Sequence, residues 1–401
     1  MGETQARGPM QGVRVLDIGV WVAGPFAASL LADFGAEVIK VEQPGIGDPI
    51  RQNGELRGPG AHWCIDGRNK RSMTLNLRSQ AGQEILASLV QRSDVLIDNH
   101  RPGMLASWGL TEARLDELNP ELIVANVSGF GQSGPYSQRA AYDRIAAAMG
   151  GLLYLNGFPD RPPVRTGLIL TDYISALFNT IGILMALYRR DAQAGGGERI
   201  DVAMYECIFR VLENTVTVYD KLGIRRDRIG NVSPGFYPDD MFETADGKWV
   251  VLSAVAEHHF SALCALMGKP ELAEDPSLAD PVARGENIER LQGIIGGWIS
   301  AQKCDDVIVA LESARLPCSE VMSVDRMLTD PHYQARETII DVDDPLFGTI
   351  KQPAVTPRFS NHPGGVHRGA PTLGADTDDI LSGLLGMAPE AIAGLRDDGV
   401  V

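Results

Sequence analysis

Short apolar runs alternate with longer helical stretches along the first half of the chain. Residues 25–34, 79–93 and 142–150 are predicted to be helices. The apolar runs predict strands at 13–18 (VRVLDI), 37–42 (EVIKVE), 72–77 (SMTLNL), 95–98 (VLID), 122–128 (LIVANVS) and 199–204 (RIDVAM). Strands that alternate with helices of this length predict an α/β fold with a largely parallel sheet that is covered on both faces.

The pattern changes after about residue 228. The string GNVSPGFYPDD (230–240) is rich in turn residues, and residues 241–243 and 248–253 are predicted to be paired strands around ADGK. Helices are expected from there to about residue 325. This half therefore predicts a second, smaller α+β domain.

The longest apolar segment, residues 167–187, contains Asp172 near its start. A helix that is apolar on every side belongs in a core, and its Asp172 and Asn179 argue against a membrane span. A helix N-terminus stabilises negative charge, so Asp172 is expected to stay ionised and to be able to act as a nucleophile. The alternative is an aspartate that satisfies backbone N–H groups beside Thr171.

Composition and charge narrow the class of protein. A chain of 401 residues predicts two domains, and 44% apolar with 22% charged residues is typical of a soluble enzyme. The net charge of −16 argues against a nucleic-acid partner. Five scattered cysteines without a C-x-x-C motif, and a beginning without an apolar stretch, predict a reduced, cytoplasmic protein with no membrane partner.

Two motifs suggest cofactors that their context does not support. The string GFGQSG (129–134) fits G-x-G-x-x-G, yet Pro135 follows directly where a dinucleotide fingerprint needs a helix. We therefore expect a tight loop there. The neighbouring His258 and His259 lack the spacing of metal ligands, so no metal is expected.

Basic residues cluster where an anionic ligand would bind. Arg68, Lys70, Arg71 and Arg78 lie within GRNKRSMTLNLR, and Arg101 lies in the turn NHRPG after a predicted strand. Loops at strand ends of an open α/β sheet bind anions, and arginine suits phosphate. The alternative is a solvated, charged loop.

Several long motifs follow one another in a characteristic order. They are LADFGAEVIKVEQPGIGDPIR, NKRSMTLNLRSQAGQ, DVLIDNHRPG, ANVSGFGQSGPYSQRAAYD, then Asp172, and PTLGADTDDIL. Over nearly the whole chain this series resembles the class III coenzyme A transferases, the CaiB/BaiF family.

The resemblance implies a Rossmann-like large domain built from both chain ends and a small domain inserted between them. Two linkers would wrap a partner, so that a homodimer forms interlocked rings; a heteromer with a related subunit is the alternative. The implied bounds are 1–205 for the first part of the large domain, 206–229 for a linker, 230–325 for the small domain, 326–350 for a second linker and 351–401 for the return to the large domain.

The resemblance also implies site residues. The family's catalytic aspartate corresponds to Asp172, and its coenzyme A contacts correspond to Leu75, Arg78, Asn99, His100 and Tyr142, with Met204 near the site. Two positions depart from the family: His100 stands where Phe is usual, and Val22 replaces a Gln that some members use.

The implied reaction moves coenzyme A from an acyl-CoA donor, often succinyl-CoA, to a carboxylic acid. Asp172 would form a mixed anhydride and then an aspartyl-CoA thioester. Backbone N–H groups near Gly24 or in the loop 234–238 would bind the oxyanion, and residues 230–240 would form a lid. His62, Trp63 and Trp21 are expected to line an acyl pocket that Phe236 and Tyr237 close, or else to pack in cores.

Two alternatives to the transferase exist. The 2-methylacyl-CoA racemases share the fold and use a histidine that directly precedes an aspartate, but Tyr142 occupies that position here. Tyrosine ordinarily titrates near ~10 and is a poor base at neutral pH. A non-enzymatic subunit of a heteromer would be expected to lose the aspartate, and Asp172 is present.

Overall fold

The computed structural model describes residues 8–53, 60–233 and 235–401. These residues form two compact units. The first takes its described residues from Met1–Leu152, Thr166–Thr217 and Ala335–Val401, and the second consists of Leu153–Arg165 and Val218–Gln334.

The strands form three sheets. They are β1 (Arg14–Asp17), β2 (Glu37–Glu42), β3 (Lys70–Thr74), β4 (Val95–Asp98), β5 (Ile123–Ser128), β6 (Glu198–Ala203), β7 (Asp239–Glu243), β8 (Trp249–Ser253), β9 (Cys318–Glu320), β10 (Ile339–Asp344) and β11 (Gly348–Pro353). The first six make one sheet in the order β3-β2-β1-β4-β5-β6, and all of its pairs are parallel. The predicted parallel sheet is confirmed.

The helices, again within the described residues, lie mostly between these strands. They are α1 (Ala23–Asp33), α2 (Ala61–Asp66), α3 (Gln80–Val90), α4 (Met104–Ser107), α5 (Glu112–Leu118), α6 (Asp143–Met149), α7 (Leu152–Leu155), α8 (Leu170–Gln193), α9 (Met204–Arg210), α10 (Thr215–Leu222), α11 (Glu257–Leu266), α12 (Pro281–Glu286), α13 (Ile288–Ser300), α14 (Cys304–Ser313), α15 (Val324–Thr329), α16 (Pro331–Ala335), α17 (Thr377–Gly383) and α18 (Pro389–Asp397).

Helices cover both faces of the parallel sheet. On one face α1 and α8 pack against β1, β2, β4 and β5. On the other face α3, α5, α17 and α18 pack against the same strands. The strands are therefore buried on both sides, which explains why their sequences are apolar runs rather than alternating patterns.

Helix α8 is only half buried within one chain, which corrects the prediction of a core helix. Its inward face is buried along Ser175, Asn179, Ile183 and Leu187. The opposite face is exposed and apolar, at Leu177, Ile181, Leu184, Met185 and Tyr188. By length and composition α8 could cross a membrane, but core helices of soluble proteins pass the same test.

The second unit has its own core. Strands β7, β8 and β9 form an antiparallel sheet, and β7 and β8 are the strands predicted around ADGK. Helices α11, α13 and α14 pack against the sheet. Tyr237, expected near an acyl pocket, is fully buried in this core, which favours the packing alternative for it. Pro234, in the predicted lid, lies outside the described residues.

A cluster of buried charges lies beneath the first βα loop. Lys40 and Lys70 are fully buried, and Asp17 lies between them, 3.6 Å from the first ammonium and 2.9 Å from the second. The Lys40 ammonium also lies 3.0 Å from Asp48. Burial opposes ionisation of Asp17, but the two lysines outweigh it and hold its pKa below the usual value. We call these four residues the buried charge cluster.

Replacing Lys40 by Met is expected to destabilise the fold by about 3–5 kcal/mol, because Asp17 and Asp48 then lose a buried counter-charge. Urea unfolding measures the change. Lys351→Met is the matched control, since Lys351 forms an exposed pair with Asp341 and such pairs contribute about 0–1 kcal/mol. Equal losses in the two variants would contradict the structural role of the cluster.

Candidate active site

A cavity of about 430 Å³ lies at the carboxyl ends of the central strands. The loops after β1, β2, β3 and β4 form its wall, and the apolar part is supplied by Ile18, Val41, Leu75 and Trp108. The sheet order changes direction between β1 and β4, since β1 pairs with β2 on one side and β4 on the other. Ligands of open α/β sheets bind in the crevice at this point.

Three of the predicted ligand-binding residues line this cavity. They are Leu75, Arg78 and His100. Asn99 adjoins them and holds the loop after β1: its Oδ1 accepts from the Val20 N–H at 2.8 Å, and its Nδ2 donates to the Val20 carbonyl at 2.6 Å.

The remaining predicted ligand residues do not line the cavity. Arg101 is exposed in the turn after β4. Tyr142 precedes α6 and is 68% exposed. Met204 is buried and packs with Val127 and Ala146. The cavity is therefore lined by only some of the residues that are predicted to contact coenzyme A.

Most of the basic segment before Arg78 binds protein rather than an external anion. Arg68 pairs with Asp33 at 2.6 Å, and Arg71 pairs with Glu37 at 2.7 Å. Lys70 belongs to the buried charge cluster. These three lie towards the amino end of β3, whereas Arg78 follows its carboxyl end, where ligands bind. The prediction of an anion site is wrong for them.

The segment Gly19–Val22 is fixed by side chains from several elements. Lys40 donates to the Gly19 carbonyl, and Asp48 Oδ1 accepts from the Trp21 N–H at 3.0 Å. With both Val20 main-chain groups bound by Asn99, the backbone is held firmly enough to keep Trp21 at φ 63°. Left-handed backbone at a non-glycine residue is costly and occurs often at functional sites. We call this segment the β1 loop.

The β1 loop runs from the cavity towards residues near the start of α8. Gly19 and Val20 line the cavity. At its other end Val22 belongs to a buried cluster against which Ile169 and Tyr173 pack. These residues flank Asp172 in the first turn of α8. The ring of Tyr173 also meets Phe26 of α1 edge to face, with centroids 4.7 Å apart.

The pKa of the Asp172 carboxyl lies above its usual value. Burial raises the pKa of its carboxyl to about 7, and the nearby Asp143 carboxylate adds to the shift. Burial and Asp143 therefore outweigh the helix N-terminus, which was expected to keep the carboxylate ionised. It is also not a backbone cap, because Asp143 Oδ1 accepts from the Thr171 N–H at 2.8 Å. No hydrogen bond to the Asp172 carboxylate occurs among the described residues.

Sequence reasoning missed several residues that build this site. Lys40 and Asp48 lie within a motif of the family resemblance, but neither they nor Asp143 are predicted as site residues from the sequence. The signal for Lys40 is its position inside a predicted strand, EVIKVE, whose other central residues are apolar. The expected acyl-pocket residue Trp63 is buried, and its indole donates to the Pro371 carbonyl. It packs in a core.

Comparison with known proteins identifies relatives along the full chain. The sequence model of "CoA-transferase family III" matches residues 10–377. The chain is 42% identical to succinyl-CoA–D-citramalate CoA-transferase of Chloroflexus aurantiacus, over 98% of each chain. It is 38% identical to the beta subunit of succinyl-CoA–L-malate CoA-transferase from the same organism, again over 98% of each.

Solved structures agree with these sequence matches. The fold superposes on the crystal structure of a CaiB/BaiF family protein from Brucella suis with a TM-score of 0.85. The two chains are 32% identical, and the match covers 94% of this chain and 100% of the other. The mixed α/β architecture with its six-stranded parallel sheet is therefore the architecture of that family.

The raised pKa of Asp172 predicts a pH-dependent stability difference for Asp172→Asn. Because the folded-state pKa is about 7 against an ordinary 3.8, wild-type stability is fully present below the ordinary value and falls as pH rises towards 7. The asparagine variant has no carboxyl at this position and does not lose stability in this way. The thermal midpoint of the variant minus that of wild type should therefore be larger at about pH 8 than at about pH 4. An advantage that does not change with pH would contradict the raised pKa.

Proposed function

The chain belongs to CoA-transferase family III, and from that premise we propose that it transfers coenzyme A from succinyl-CoA, or a related acyl-CoA, to a carboxylic acid. Two full-length relatives are named as succinyl-CoA-dependent transferases, which supports this donor. Both of their named acceptors, D-citramalate and L-malate, are hydroxylated dicarboxylates, so an acceptor of that class is the first to test.

Asp172 is the proposed nucleophile. Its ionised carboxylate attacks the thioester carbonyl of the donor, and the carbon–sulfur bond breaks to give a mixed anhydride and free coenzyme A thiolate. The thiolate attacks the aspartyl carbonyl of this anhydride and releases the donor's carboxylate, which leaves an aspartyl-CoA thioester. The acceptor carboxylate then attacks the thioester, and the same steps in reverse yield the product thioester and free Asp172.

The observation that most favours this role is a half-buried carboxylate that has no hydrogen-bond partner among the described residues. Its neighbours Ile169 and Tyr173 pack against the cluster that contains Val22 of the β1 loop. A carboxylate of raised pKa is more basic and less hydrated than an exposed one, so it is the stronger nucleophile once ionised. Asp143, which raises that pKa and holds the first turn of α8, is proposed as a positioning residue.

The proposed oxyanion donors are main-chain N–H groups at the start of α1. The first N–H groups of a helix have no acceptor within the helix. Those of Ala23 and Gly24 stand directly after the β1 loop. The Val20 and Trp21 N–H groups are already bound by Asn99 and Asp48, so they are not candidates.

Coenzyme A is proposed to bind in the cavity and along the β1 loop. Leu75 and the other apolar residues suit the adenine ring, and Arg78 and His100 suit phosphate groups. Arg101, Tyr142 and Met204 stay proposed contacts beyond the cavity. Racemisation is not favoured, because Tyr142 occupies the position of the racemase histidine and the full-length relatives are named as transferases.

A homodimer of the interlocked kind is the proposed assembly. The support is the exposed apolar face of α8, which includes Leu184 and Met185 beside Ile181. A contiguous apolar face of this kind on a soluble protein usually marks a protein interface. Since one relative is the beta subunit of a transferase, a related second chain is the competing partner.

The covalent mechanism predicts a chemical mark on Asp172. Incubation with succinyl-CoA and then hydroxylamine should convert the activated Asp172 carboxyl to a hydroxamate, which peptide mass spectrometry detects as a mass increase on that residue. The label should require the donor and should disappear in Asp172→Asn. Asp143→Asn is the second variant: it keeps the nucleophile, so it should still be labelled.

Two outcomes would contradict the proposal. Label on another residue in wild-type protein would move the nucleophile elsewhere. An unlabelled Asp172 together with exchange of the donor's α-proton into solvent would favour the racemase chemistry instead.

The assembly predicts that charge on the exposed face of α8 separates the subunits. Ile181→Glu with Met185→Glu should reduce the mass in light scattering from that of two chains to that of one, because two carboxylates would be buried unpaired. Gln91→Glu, at an exposed position after α3, is the matched control and should leave the mass unchanged. A wild-type protein with the mass of one chain would overturn the homodimer.

A further inference from the structure

His100 is oriented by a carboxylate that the fold buries. Asp98, the last residue of β4, is only 3% exposed. Its Oδ1 lies 2.6 Å from Nδ1 of His100 and also accepts from the His100 N–H at 3.0 Å. Its Oδ2 accepts from Asn126 at 3.1 Å. A carboxylate with these contacts is an acceptor, so the His100 proton lies on Nδ1.

The geometry leaves the other ring nitrogen available for a ligand. His100 lines the cavity, and its ring meets Trp108 edge to face with centroids 5.0 Å apart. Among the described residues, Nε2 has no hydrogen-bond partner. The ring is therefore held by Asp98 on one side and Trp108 on another, while Nε2 faces away from the buried carboxylate.

The charges around this ring favour an anionic ligand. Of the ionisable side chains that line the cavity, Lys40 is paired with Asp17 and Asp48, and Glu42 is paired with Arg51. Arg78 is exposed at the cavity wall. A protonated His100 would place a second cation on the wall of the same cavity.

We propose that the Asp98–His100 pair recognises a phosphate group of coenzyme A through Nε2 of His100 and makes binding tighter when the imidazole is protonated. The inference rests on the proposed function and adds to it a proton-dependent contact. His100 touches the ligand, and Asp98 acts through it as a positioning residue. The phosphate is either the pyrophosphate or the 3′-phosphate, since both are anionic groups that an imidazolium binds in the same way.

The pair predicts a pH-dependent affinity that depends on phosphate. Calorimetric titration with coenzyme A should show affinity falling by about tenfold between about pH 5.5 and about pH 8, the range in which histidine loses its charge. Pantetheine, which has no phosphate, should bind with an affinity that does not change over this range. Dephospho-CoA separates the two sources: loss of the pH dependence assigns the 3′-phosphate, and its retention assigns the pyrophosphate.

Two variants of His100 distinguish the effect of its charge on coenzyme A affinity from the effect of its shape. His100→Phe keeps an aromatic wall, and His100→Gln keeps a neutral donor. Both should lose the pH dependence for coenzyme A, while pantetheine affinity and thermal midpoint stay unchanged. Wild-type protein and His100→Phe that show the same pH profile would overturn the inference. A failure of the proposed function is distinguishable, because neither coenzyme A nor pantetheine would then bind at any pH.

Discussion

The buried charge cluster is the constraint on which the site depends. Lys40 and Lys70 stand in adjacent strands of the sheet, so their ammonium groups approach the same region from β2 and β3. Asp17 at the end of β1 lies between them, and Lys40 reaches Asp48 as well. Buried ion pairs rarely add much net stability. The cluster instead fixes the position of the β1 loop, because Asp17, Lys40 and Asp48 also bind main-chain groups of that loop.

The position of the β1 loop matters for the proposed chemistry. The β1 loop borders the cavity at Gly19 and Val20 and adjoins the first turn of α8 through Val22. In the proposed reaction a thioester carbonyl must reach Asp172 from a coenzyme bound in the cavity, which requires a fixed separation between Asp172 and the cavity. Small displacements at a reacting centre cost large factors in rate. The hydrogen bonds to the β1 loop hold the backbone that borders the cavity, including the left-handed Trp21.

Much of the architecture follows from local patterns. Strands β2 and β4 match their predicted ranges because apolar, β-branched runs bounded by turns specify a buried parallel strand. The predicted start of β3 is two residues late, at Ser72 instead of Lys70. A lysine is assigned to a loop unless its buried partner, Asp17, is known, and that partner is distant in sequence. The exposed face of α8 escaped prediction for a related reason: apolar composition does not say whether the covering surface belongs to the same chain.

The candidate site, like the fold, has features that the sequence predicts and features that only the structure shows. Asp172 stands out because it is a carboxylate in an apolar helix, and the resemblance assigns it a role. Its raised pKa, however, comes from burial in the folded chain and from Asp143 on another helix. Burying that carboxylate costs stability above neutral pH, and a fold selected only for stability would place an apolar residue there. The backbone near the proposed nucleophile is held by groups that take no part in the proposed reaction: Asp143 binds the Thr171 N–H, and Lys40 and Asp48 bind the β1 loop.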